Sequence, residues 1–91
     1  MKKTTLEELR TEVLEWLQKD IQNDLERVRQ ALVAHLYMTP DSEEVYVYDL
    51  DTCSNHFQEL REAITQSFEG VEVKEFYVGN DSVTLLIKEN Q

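Results

Sequence analysis

Asp49, Asp51, Cys53 and His56 bring four side chains capable of ligation or catalysis into one short stretch. Two carboxylates, a thiol and an imidazole could in principle hold a divalent metal. Helical geometry opposes it. Cys53 falls on the apolar stripe of the helix expected to follow, while Asp49 and Asp51 lie before that helix. A zinc site draws on more Cys and His than one of each. An EF-hand loop needs a glycine at its sharp turn and a closing glutamate, and neither is in place. The expectation is no metal, with Cys53 a small buried hydrophobe.

Asp49-Leu50-Asp51-Thr52-Cys53 after a hydrophobic strand resembles the first motif of haloacid dehalogenase-type phosphatases, in which an aspartate nucleophile and an aspartate acid/base stand two apart. The resemblance covers only residues 45–53, and Cys53 occupies a place where that pattern has Thr or Val. Too little chain follows for a phosphate-binding lysine, an acidic metal pair and a Rossmann-like sheet. The simpler expectation is that Asp49 and Asp51 end a strand and that Asp51 or Thr52 caps a helix. His35 is expected at the end of a long helix, where an imidazole complements the dipole. Two glycines leave no phosphate-cradling loop, and no nucleophile has an evident base and orienting acid. These readings predict a non-enzymatic protein with no catalytic residues and no cofactor.

The elements that must position these residues are legible in the spacing. Thr5 followed by Glu8 reads as a capping box, with Thr4 and Glu7 as the alternative register. Leu6, Leu9, Val13, Leu14, Leu17, Ile21, Leu25, Val28, Leu32 and Leu36 recur at helical intervals, uninterrupted before Pro40. Pro40 disfavours helix at Thr39, which places the end near Tyr37 or Met38. A helix of roughly 33 residues would be about 50 Å long. A compact domain of this size is only about 30 Å across. Either the helix breaks in the polar stretch Lys19–Asp24, or a second chain covers the overhang. The stripe continues through Ile21 and Leu25, which favours continuity and a homodimer. Leu14, Trp16, Leu17, Ile21, Leu25 and Val28 are the predicted dimerisation face. Trp16, beside the main stripe, would serve as core or as partner anchor.

Val45–Tyr48, Val71–Val78 and Val83–Lys88 read as strands. Cys53, Phe57, Leu60, Ile64 and Phe68 line one face of a second helix that Gly70 stops. Turn-forming Gly79-Asn80-Asp81-Ser82 predicts a hairpin. Leu85-Leu86-Ile87 implies a central last strand, and Glu72, Lys74 and Glu75 an edge. The fold class predicted is α+β: one domain over 1–91, a long N-terminal helix followed by a βαββ unit with a small three-stranded sheet.

The chain has 91 residues, with nine Lys and Arg against nineteen Asp and Glu and a formal charge of −10. A lone cysteine, no apolar leader and no long apolar run predict a cytoplasmic protein without a membrane segment. Such a charge opposes direct binding of nucleic acid or anionic lipid. Residues 1–38 carry six basic and seven acidic side chains, net −1, and residues 39–91 three and twelve, net −9. The first helix reads as a balanced surface with pairs such as Glu15–Lys19 and Asp24–Arg27. The excess includes Asp41, Glu43, Glu44, Asp49, Asp51, Glu59, Glu62 and Glu69, the predicted partner-binding residues. Rows of carboxylates spaced about 6 Å apart resemble a line of phosphates. The leading expectation is a DNA or RNA mimic, an acidic inhibitor of a basic nucleic-acid-binding protein of the anti-restriction or anti-CRISPR type. The alternative is a dimeric adaptor or chaperone-like protein using the apolar helix face.

Overall fold

The computed structural model describes residues 2–88. Helix α1 spans Leu6–Met38 without a break, so Lys19–Asp24 is ordinary helix. Its start is the predicted capping box: Thr5 Oγ1 accepts from the Glu8 N–H, and the Glu8 carboxylate accepts from the Thr5 N–H. At its other end the His35 ring donates from Nε2 to the Ser42 carbonyl at 2.8 Å, tying the last turn to the chain beyond Pro40.

Strand β1 (Glu44–Val47), helix α2 (Phe57–Ser67), strand β2 (Val71–Tyr77) and strand β3 (Ser82–Ile87) complete the α+β fold. The sheet is antiparallel in the order β1-β3-β2, so the last strand is central and β2 lies at an edge. Gly70, with φ of 80°, makes the turn from α2 into β2. A Cβ there would also press on the Lys88 carbonyl at 3.3 Å.

Both helices cover one face of the sheet, α1 against β1 and α2 against β2, and they touch each other. Alternation along the strands directs Val45, Val47, Val73, Val83 and Leu85 toward them. There they meet Val28 and Leu32 of α1 and Leu60 and Ile64 of α2 in one buried core. Leu50, between β1 and α2, completes it.

Three sequence expectations are corrected. Asp51 and Thr52 do not cap the second helix: a 3-10 turn at Ser54–His56 intervenes and α2 starts at Phe57. The carboxylate that could have capped it is turned to α1 instead. Cys53 consequently sits before the helical stripe rather than on it, and is exposed. Val28 is 0% exposed in the chain's own core and cannot belong to a dimerisation face. Ile21 and Leu25 also pack against that core.

What remains of the stripe is an arm. Every residue from Leu6 to Trp16 is exposed, and Leu17 is the first to be half-buried. The sheet and α2 occupy only the C-terminal part of the rod, and the molecule measures 61 × 26 × 19 Å.

Candidate functional site

The loop that carried the apparent chemistry is held from below by a buried carboxylate. Asp24, on the inner face of α1, is 0% exposed. Its Oδ1 accepts from the Asp51 N–H at 2.7 Å and its Oδ2 from the Thr52 N–H at 2.8 Å. Arg27 bridges Asp24 Oδ1 at 3.2 Å and Asp51 Oδ2 at 3.1 Å. Asn23 donates to the same Asp51 oxygen at 3.3 Å. The predicted surface pair Asp24–Arg27 is therefore a clasp between α1 and the 49–52 loop. It fixes the backbone with Leu50 in the core and Asp49 in the left-handed region at φ 60°. From the other side the Leu50 N–H donates to the Asp81 carbonyl. Asp49, Asp51 and Cys53 are thus parts of a docked loop. Among the described residues no three His, Cys, Asp or Glu side chains converge to hold a metal ion.

The eight predicted partner-binding acids do not form one row. Asp41 and Glu43 border a cleft with Leu86, Ile87 and Lys88, at the end of the body remote from the arm. Glu69 borders a neighbouring cleft that shares Ile87 and Lys88. Asp49 and Asp51 stand at the opposite end, beside the clasp, and Glu59 and Glu62 on α2. Glu44 belongs to the sheet. Three of the eight are already engaged: Glu44 with Lys74 at 2.6 Å, Asp51 with Arg27, and Glu59 with His56 at 2.8 Å. The bond from Arg27 holds Asp51 below the ordinary carboxylate pKa, and the bond from His56 does the same for Glu59.

The face of the sheet that no helix covers presents a different surface. Alternation places Glu44 and Tyr46 of β1, Glu72, Glu75 and Tyr77 of β2, and Thr84 of β3 on it. Tyr46 and Tyr77 are exposed, as is Tyr48 just beyond β1. Each strand tyrosine donates to a carboxylate two residues away: Tyr46 to Glu44 at 2.7 Å, and Tyr77 to Glu75. Lys74, at the irregularity between Val73 and Glu75, reaches across the sheet to Glu44. Thr84, directly opposite Tyr46 and Glu75, is buried although no helix lies above it. The flanking side chains form its roof. The sequence contained a signal for this face, since Tyr46 and Tyr48 are two apart and Tyr77 follows Glu75 by two. Only the register places the tyrosines of β1 and β2 on one side.

The same network has a pH signature. Lys74 first, then the Tyr46 hydroxyl, holds the Glu44 carboxyl below its ordinary pKa; the bond to Glu44 raises Tyr46 in turn. A carboxylate depressed on folding stabilises above its unfolded pKa, and that contribution is lost as pH falls through the lowered value. Tyr46→Phe is expected to raise the Glu44 pKa part of the way back and Lys74→Met to raise it further. An NMR titration of the side-chain carboxyl carbon reads both. Identical titrations in parent and variants would mean that the network does not form in solution.

No helix among the described residues is long and apolar enough to cross a membrane. No protein-family model, curated protein or solved structure matches the chain.

Proposed function

We propose that this protein is a non-enzymatic inhibitor that binds the basic nucleic-acid-binding surface of another protein and excludes the nucleic acid from it. The observation that carries the reading is the uncovered sheet face, where exposed Tyr46 and Tyr77 stand among Glu44, Glu72 and Glu75, with exposed Tyr48 just beyond β1, on a body of net −9. Tyrosine is enriched at interface centres, and its ring face attracts Arg and Lys. Carboxylates beside the rings accept from the same cations and steer a basic partner toward the face. The acids at both ends of the body, Asp41, Glu43 and Glu69 at one and Asp49 at the other, extend that attraction around it. Anti-restriction and anti-CRISPR activity are the biological forms this mechanism takes.

A second reading is favoured by the arm. Leu6, Leu9, Val13, Leu14 and Trp16 are exposed on α1, and an adaptor could use them to hold an apolar partner.

Displacement of labelled DNA from basic host nucleic-acid-binding proteins separates the two. Under the first reading displacement weakens steeply with salt. A Tyr46→Ala/Tyr77→Ala variant should lose at least ten-fold in potency, and Trp16→Ala should keep it. Binding that survives about 0.5 M salt, far above the concentration at which surface charges are screened, and that disappears with Trp16→Ala instead would transfer the function to the arm.

A further inference from the structure

The arm has a defined orientation relative to the body, and it follows from the helix repeat. Eighteen residues make five turns of an α-helix, so positions eighteen apart lie on one line. Leu6 therefore lies in line with buried Asp24, Leu14 with buried Leu32, and Val13 with Ala31, which packs on the core. Leu6, Val13 and Leu14 therefore point to the side on which the body sits, whereas Trp16, in line with exposed Ala34, points away from it. The body ends near Leu17, leaving a ledge: an apolar helix face with a wall at one end.

From this geometry we infer that the occupant of the ledge is the arm of a second copy, running antiparallel, with the two-fold axis near Val13. A parallel pair is sterically forbidden. With the two apolar faces in contact, both bodies would project into the same space at the same end. The antiparallel pair sends the bodies to opposite ends, each abutting the tip of the other arm. Leu9 then meets the partner's Leu17, Val13 meets its own symmetry mate, and Leu6 comes level with the partner's Asp20.

Charge selects the same arrangement. The tip is basic: Lys2 and Lys3 precede any acid, the first being Glu7. With the axis at Val13 those lysines arrive level with the partner's Asn23, at the edge of a body of net −9. A parallel pair would set lysine beside lysine and body beside body. The ledge itself is open to a partner. Leu6 at 66%, Val13 at 49% and Leu14 at 59% exposure form an apolar face that nothing in the chain's own body covers. The pairing is independent of the proposed function, and either can fail without the other.

Sedimentation equilibrium of the full chain between about 1 and 200 µM tests the association. Leu9→Glu and Leu14→Glu, at exposed positions, should give monomers with unchanged circular dichroism per residue. Lys2→Glu/Lys3→Glu should weaken the dimer about ten-fold. Sense is read by disulfide trapping in a Cys53→Ser background. Val13→Cys, near the axis, should cross-link to its mate, and Leu6→Cys, at the tip, should not. A monomer throughout the range, or efficient Leu6→Cys cross-linking, overturns the inference.

Discussion

Asp24→Ala is expected to remove about 3–5 kcal/mol of stability, a large share of the about 5–15 kcal/mol that holds a small domain together. The substitution deletes the acceptor of two backbone N–H groups, those of Asp51 and Thr52, and of the Arg27 guanidinium. Asp24 is 0% exposed, so water does not replace it. The loop then has no anchor on α1, and Leu50 loses the fixed backbone that holds it in the core. Asp24→Asn keeps the shape and one acceptor oxygen but turns an amide toward a donor. Its expected cost is smaller, about 1–3 kcal/mol. Urea denaturation followed by circular dichroism measures both. An Asp24→Ala protein within about 1 kcal/mol of the parent would show that the clasp contributes little.

The second large effect comes from a pair of leucines on one line of one helix. Leu32 is 8% exposed and Leu14 is 59% exposed. Leu32→Ala opens a cavity between α1 and the sheet and should cost about 2–5 kcal/mol. Leu14→Ala removes the same atoms from an exposed side chain, and below the dimerisation range it should stay within about 0.5 kcal/mol of the parent. Above that range the cost of Leu14→Ala should grow with concentration, because binding to the folded state adds stability by mass action. Equal costs for the two substitutions at 1 µM would mean that the arm is not free of the body. Cys53→Ser, at an exposed position, serves as background for these measurements and is expected to leave stability within the same small margin.

The helix was legible because its signals are local. A capping box, an unbroken apolar repeat and a proline each act within a few residues, and Leu6–Met38 follows from them. The strands and their order were legible for a related reason. Leu85 and its neighbours need cover that only a central strand provides, and the charges of β2 need an edge. The start of α2 is not legible locally, because Asp51 and Thr52 resemble caps in isolation. The competing attraction, a carboxylate 27 residues away in sequence, is invisible to any local pattern. Cys53 and Val28 depart from the expected pattern because neither apolar stripe is uniform along its length. A stripe states which face is apolar, and it does not state which stretch of that face is covered, or by what.

The candidate sites divide along the same line. The excess of carboxylates and its concentration after residue 38 belong to the sequence, since charge is carried by residue type wherever the chain goes. The grouping of those charges does not. Register across three strands brought Tyr46 and Tyr77 onto one face, and packing spread the eight predicted acids over both ends of the body, α2 and the sheet. Helical spacing alone determined that α1 is apolar along one side for its full length. Only the tertiary structure decided that its second half is core and its first half a ledge, because the sheet and α2 are too short to cover more than part of a rod of 33 residues.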